Sequence, residues 1–232
     1  MKLIITEKPS VAQDIAAAIG NAQKSDGYII VGDFNITWAF GHLLEIDNSI
    51  LPKERNLDVL PILPDKFNYL VVAEKKKQFS VIKNLVQKAT DVIIATDAGR
   101  EGELIARLIL NNSGWLNWQN TYRLWTSEAL SKEVVNKALK NMAPAARYDG
   151  LYYAGLGRQH ADWITGMNLS MAISIKANGG WSCGRVQTPT LFLIVKRDAE
   201  IAAFKKEGYF VIKAKHEAQG INFESFYQLK EQ

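Results

Sequence analysis

The chain has 232 residues, 47% of them hydrophobic, which is enough for a buried core and suits one or two domains. A formal net charge of +4 permits a polyanionic partner without demanding one. One cysteine and three histidines exclude an internal disulfide framework and a closed structural zinc site.

Lys2 to Thr6 reads as a first strand. Its apolar run, Leu3-Ile4-Ile5, is too short for a secretory leader, and with the lone Cys183 it predicts a reducing, cytoplasmic setting. No stretch approaches the ~20 apolar residues of a membrane span, so no membrane partner is expected. Glu7-Lys8 ends the strand, because the residue before Pro9 is held extended. Ser10 with Gln13 fits a capping box, and Val11, Ile15 and Ile19 form a helical stripe that Gly20 stops. Residues 28 to 40 read as two short strands around Gly32-Asp33, followed by a Gly41-His42-Leu43 turn. Pro52, Pro61 and Pro64 make residues 48 to 66 irregular. Phe67 to Ala73 reads as a strand, and Phe79, Ile82, Leu85 and Val86 mark a helix. Asp91 to Ala95 is a short β-branched run typical of a buried strand. Gly99 and Gly102 then allow a tight turn, and Leu104, Ile105, Leu108 and Ile109 place a helix start near Glu101. Trp115 and Trp118 read as packing residues. Tyr122 to Trp125 is another strand, and Ser131 caps a helix bearing Val134, Val135, Ala138 and Leu139. This alternation predicts an α/β fold with a mainly parallel sheet. Near Pro144 the pattern turns helical: one helix from Ala145 past Trp163, a break at Ala177-Asn178-Gly179-Gly180, and a helix after Pro189. Tyr209 to Lys215 alternates like a strand.

Asp97 thus falls at the C-terminal end of a strand and Glu101 at the start of the next helix. Two carboxylates so placed can converge on a hard cation such as Mg²⁺; acids in a first helical turn also serve as favourable caps. Glu7 stands in the same position after the first strand. If the two strands are parallel neighbours, Glu7, Asp97 and Glu101 face one crevice, at the sheet edge where α/β ligand sites gather. The helical part carries Arg147, Arg158, Arg185 and Arg197 with Tyr152, Tyr153 and Trp163 among them. Cations with aromatics suit single-stranded nucleic acid, although long basic side chains also simply solvate helix faces. Arg158 and Asp162, four apart, read equally as a surface ion pair. In Ser182 to Thr190, Arg185, Gln187 and Thr188 could hold a phosphate at a helix start; an ordinary cap with Pro189 at the first helical position reads as well. Cys183 reads as buried and structural, and His42 and His160 as hydrogen-bonding residues. The absence of a Gly-x-x-x-x-Gly-Lys-[Ser/Thr] pattern argues against helicase or kinase readings.

Several motifs in fixed order carry a resemblance. They are Thr6-Glu7-Lys8-Pro9-Ser10, Gly41-His42-Leu43, Thr96-Asp97-Ala98-Gly99-Arg100-Glu101-Gly102-Glu103, Gly157-Arg158 through Asp162-Trp163 and Gly166-Met167-Asn168, and Ser182 through Pro189. Together they resemble the N-terminal part of a type IA DNA topoisomerase of the topoisomerase III branch. The resemblance implies a Toprim domain over residues 1–143, with a mainly parallel sheet and flanking helices. It then implies a mostly α-helical, winged-helix-like domain for single-stranded DNA over 144–205, and the incomplete start of a β-rich gate domain over 206–232. It implies that Glu7 lies beside the scissile phosphate and assists proton transfer to the leaving 3′ oxygen. Lys8 would stabilise charge there, and Asp97 and Glu101, with Glu7, would hold Mg²⁺. Arg100, Arg158, Asp162, Arg185 and Gln187 would line the DNA path. The resemblance implies no nucleotide cofactor. Further gate domains, carrying a nucleophilic tyrosine in a Tyr-Pro-Arg context, would complete the enzyme; none of the eight tyrosines here is followed by proline. Gly99 stands where the Toprim pattern has a second aspartate, so the number of bound ions is left open. Met171 stands where an arginine is common. Two other readings of the residues stay open: a Toprim nuclease using metal-activated water, and a non-catalytic DNA-binding accessory protein.

Overall fold

The computed structural model describes residues 1–227. Contacts divide the chain into two compact units, Met1–Arg185 and a second beginning at Val186.

The first unit is built on a seven-stranded sheet. Its strands are β1 (Lys2–Thr6), β2 (Gln23–Ser25), β3 (Tyr28–Val31), β4 (Phe34–Trp38), β7 (Asp91–Ala95), β8 (Thr121–Arg123) and β9 (Ala143–Pro144), in the order β2-β3-β4-β1-β7-β8-β9. A separate pair, β5 (Leu44–Ile46) and β6 (Tyr69–Val71), is antiparallel. The centre of the main sheet, β4-β1-β7-β8, is parallel, and the pairs at both edges are antiparallel. Helices α1 (Pro9–Ile19), α2 (Lys76–Lys88), α3 (Arg100–Ser113) and α4 (Lys132–Lys140) cover its faces, and the 28-residue α5 (Asp149–Lys176) follows.

Side chains alternate across a strand, so a continuous apolar strand feeds two cores at once. Leu3, Ile5, Val92 and Ile94 join Ile82, Leu85, Leu104, Ile105, Leu108 and Ile109 of α2 and α3 on one face. Ile4 and Ile93 join Ala12, Ile15, Ala16 and Val135 of α1 and α4 on the other. Such central strands leave their loops at one edge, and that edge positions the site.

Helix starts differ from the sequence expectation in two places. α1 begins at Pro9 with Lys8 as its cap and no side-chain cap bond, so Ser10 is a first-turn residue, not a cap. Proline's fixed φ suits the first helical position and draws the start forward. In the second unit, α6 (Gln187–Ala202) starts at Gln187, so Pro189 is its third residue. The missing N–H is harmless anywhere in a first turn. The strand expected over Tyr209 to Lys215 instead runs Lys213–Ala218 (β10) and forms an antiparallel hairpin with Ile221–Phe226 (β11). Gln219 and Gly220 both take positive φ there, as a tight hairpin turn requires. The sequence-based boundaries at 143 and 205 differ from the contact division at 185, because α5 packs on α3. The crossing is close: a Cβ on Gly155 would sit 3.0 Å from the Arg100 carbonyl oxygen.

Candidate functional site

β1 and β7 pair in parallel with Thr6 opposite Ala95, so the residues that follow each strand emerge side by side. Lys8 Nζ donates to Asp97 Oδ2 at 2.8 Å across this edge. The resulting charge–charge hydrogen bond holds the Lys8 pKa above its ordinary value. Glu7 is half-buried beside Asp97. Desolvation first, and the Asp97 charge second, push its carboxyl above the usual range, while Lys8 and His42 pull the other way. Glu7 therefore keeps a proton to higher pH than a free glutamate.

The third strand end supplies a histidine. Ala39 N–H bonds to Thr6 O and Gly41 N–H to Glu7 O, which lays the 39–42 segment along β1. Phe40 and Gly41 turn the chain with positive φ. Lys75 Nζ pins the turn by donating to the Phe40 and His42 carbonyls at 3.0 and 2.7 Å. His42 Nε2 then meets Glu101 Oε1 at 2.5 Å. His42 is thus a hydrogen-bonding residue as expected, and its partner is one of the candidate ligands.

Beneath the acids lies a buried polar layer that the sequence reading passed over. Arg123 is fully buried; it donates to Glu103 Oε2 at 2.9 Å and to the carbonyls of Ile94, Leu124 and Asp97. Burial lowers its pKa and the Glu103 charge opposes that shift. Glu103, also fully buried, takes a second guanidinium from Arg107 at 2.9 Å. Arg107 goes on to Asp149 and to the Ala145 carbonyl, both at 2.7 Å. Thr96 Oγ1 closes the turn on the Gly102 carbonyl at 2.7 Å. A Cβ on Gly102 would lie 2.2 Å from the Asp97 oxygen, so only glycine lets α3 start against this strand end. The one available signal was Glu103 itself, an acid on the apolar side of a helix that needs a buried counter-charge.

Arg100 is exposed at the first position of α3. On α5, Asp162 accepts from Arg185 at 2.5 Å and lies 3.5 Å from Arg158. Arg185 holds the Asp162 carboxyl below its usual range. Arg158, Asp162 and Arg185 therefore form one cluster. Gln187 belongs to the second unit, at the start of α6. Cys183 is half-buried, not enclosed as the sequence suggested, because its segment runs along the surface of α5.

Glu7, Asp97 and Glu101 offer only oxygen donors, the chemistry a hard divalent cation takes. Asp97 and Glu101 are each held by a basic side chain, and among the described residues no three His, Cys, Asp or Glu side chains close into a cage. Ligation by this set would require both pairs to open. Among the described residues no helix is long and apolar enough to cross a membrane.

Acids gathered at the C-terminal edge of a parallel sheet, joined to a long helix with a cationic cluster, define a Toprim-type domain followed by a helical module. Comparison with known proteins agrees: residues 2–129 match the Toprim domain family, and residues 146–232 match the DNA topoisomerase family. DNA topoisomerase 3 of Staphylococcus aureus strain USA300 is 44% identical over 218 residues, which are 90% of this chain and 30% of that protein. The putative DNA topoisomerase 3 of the bovine strain RF122 is 43% identical over the same span. Full-length topoisomerase I from Thermotoga maritima matches in structure with a TM-score of 0.63 and 26% identity, over 99% of this chain and 35% of that one. The chain belongs to the type IA DNA topoisomerase family and corresponds to its N-terminal part. It spans about 30% of the length of the curated relatives it matches.

Proposed function

We propose that this chain supplies the metal-binding and single-strand-binding part of a type IA topoisomerase. In the complete enzyme a tyrosine outside this chain would attack one DNA strand. The 5′ phosphate would be held as a phosphotyrosyl ester while another strand passes, and the break would then be resealed without nucleotide. The observation that supports this reading best is the meeting of Glu7, Lys8 and Asp97 across β1 and β7.

On this reading Asp97 and Glu101, with Glu7, hold Mg²⁺. Bound there, Mg²⁺ would supply electrostatic stabilisation of phosphate charge. Lys8 leaves Asp97 for the scissile phosphate and stabilises charge developing on its oxygens. Glu7, whose carboxyl holds its proton more tightly than a free glutamate, donates to the leaving 3′ oxygen and takes the proton back on resealing. Arg100 supports the same phosphate. Arg158, Asp162, Arg185 and Gln187 guide the strand, with Asp162 fixing both guanidiniums rather than meeting phosphate itself.

Supercoiled DNA incubated with the isolated chain and Mg²⁺ tests the assignment. The expected result is binding without relaxation, since no tyrosine here stands in a Tyr-Pro-Arg context. Relaxation by the chain alone would place the nucleophile within it. Hydrolytic nicking without a protein–DNA adduct would make the site a nuclease.

A further inference from the structure

The segment 181–185 lies along one stripe of α5, formed by Ser174, Ser170, Gly166 and Asp162, residues that share a helix face at a spacing of four. Ser174 Oγ accepts the Trp181 N–H and donates to the Trp181 carbonyl, both at 2.9 Å. One turn earlier, Ser170 Oγ does the same for Cys183, at 2.9 and 3.1 Å. Asp162 ends the row by holding Arg185. A second segment is clasped to the same helix. Asn168 Oδ1 accepts the Ile62 N–H at 2.6 Å and Nδ2 donates to the Ile62 carbonyl at 2.9 Å, while Trp163 Nε1 donates to Asn48 Oδ1. Between these two segments, over the C-terminal half of α5, opens a cavity of about 660 Å³. Its lining includes Arg55, Met167, Met171, Asn178 and Trp181.

We propose that this cavity is a nucleobase site, in which an unpaired base of the single strand stacks on Trp181 and Arg55 meets the adjoining phosphate. The inference rests on the single-strand reading above and extends it to Trp181 and Arg55, which no motif singled out. Its volume falls within the ~300–1,000 Å³ usual for ligand sites. Trp181 is 59% exposed while its backbone is fixed at both N–H and C=O, so an open aromatic face is presented from an anchored position. Stacking on such a face is sequence-tolerant, because every base presents a π surface. Met167 and Met171 give an adaptable, polarisable floor. Arg55 carries the single charge among the described lining residues, so the site has a cation for phosphate and no carboxylate to repel it. The Asn178 amide can donate to and accept from a base edge. The two serine clasps and the Asp162, Arg185 and Arg158 cluster lie along one stripe of α5, so the cavity edge and the cluster share a helix face.

The test is binding of labelled oligothymidylate of about 12 nucleotides to the full chain, followed by anisotropy, a length within the range one such site covers. Trp181→Ala should weaken binding about tenfold, the scale of one stacked base, and Trp181→Phe should restore most of it. Arg55→Ala should lower the slope of log affinity against log salt by about 0.7, the share of one phosphate contact on a single strand. A single abasic nucleotide, moved along the oligomer, should reproduce the loss at one position in the wild type and add nothing in Trp181→Ala. Free thymidine monophosphate should compete poorly; competition as strong as the oligomer's would make the cavity a nucleotide site and overturn the proposal. Unchanged affinity in Trp181→Ala, with the wild type binding normally, overturns it while leaving the single-strand reading intact. A wild-type chain that binds no oligomer overturns both.

Discussion

Beneath the Asp97 turn, the side chains of Glu103, Arg107 and Arg123 are 8% exposed or less; at its rim, those of Lys8, Asp97, His42 and Glu101 are 36 to 62% exposed. Both sets pair an acid of the 97–103 segment with a basic side chain. A charge removed from water must keep its partner, because breaking a buried pair leaves the other charge stranded. A rim pair in high dielectric is held weakly and can exchange its partner for a ligand. The buried set therefore fixes the backbone of the turn, and the rim set keeps the acids at the edge while remaining displaceable. The glutamates of the two sets lie on opposite faces of one helix, since Glu101 and Glu103 are two positions apart at the start of α3.

The sharpest way to break this contrast is Glu103→Ala, which strands two guanidiniums in the core. A loss of about 3–5 kcal/mol in urea-unfolding stability is expected. A loss below about 1 kcal/mol, the size of a surface pair, would show that the buried set is not a scaffold. Gly102→Ala comes next. Its Cβ would press on the Asp97 carbonyl, and forced shifts of this kind cost about 1–3 kcal/mol. The same unfolding curves, with Mg²⁺ titrated into the folded variant, should show lower stability and weaker metal binding together.

Lys8→Ala should move stability by less than about 1 kcal/mol, because its pair with Asp97 is half exposed. Its effect belongs to the site. Asp97 loses its competing cation, so calorimetry should show tighter Mg²⁺ binding. Equal or weaker Mg²⁺ affinity would mean that Lys8 does not compete for Asp97.

How much of this was legible from the residues follows from how local each signal is. β1 and β7 were readable because an unbroken β-branched run feeds two cores, and Glu7, Asp97 and Glu101 were readable because a strand, a glycine turn and a helix start lie within a few residues. β2 was not, since Gln23–Ser25 is polar and exposed on an edge. Neither was β9, a two-residue strand that includes Pro144. His42 and Arg123 reach the site from positions 59 and 20 residues away from their acidic partners, Glu101 and Glu103. No periodicity encodes such a meeting; it exists only once the parallel sheet has set the strand order. Asp162 has a second partner for the same reason: the residues offered Arg158, and the helix break at 177–180 brings back Arg185, which lies nearer.

The smallest effect concerns the packing of Phe67 and Tyr69 on α5. His160 stacks on Phe67 with centroids 3.9 Å apart and shares a 2.9 Å hydrogen bond with Tyr69, whose hydroxyl burial pushes up to about 12. Burial lowers the His160 pKa below its unfolded value. A histidine of this kind supports the fold fully above the unfolded pKa of about 6.5, and that support is lost as pH falls from there through the folded pKa. Between about pH 7 and pH 5 the urea midpoint should therefore drop more in the wild type than in His160→Gln. Parallel drops would remove His160 from the account.

The most direct measurement is Mg²⁺ calorimetry on the folded chain beside Asp97→Ala/Glu101→Ala, with oligothymidylate binding measured on both. Magnesium binding lost in the double variant, with its unfolding curve and its grip on the oligomer largely kept, is the result expected if the rim acids hold the ion and α5 holds the strand. Undiminished magnesium binding by the double variant would contradict it.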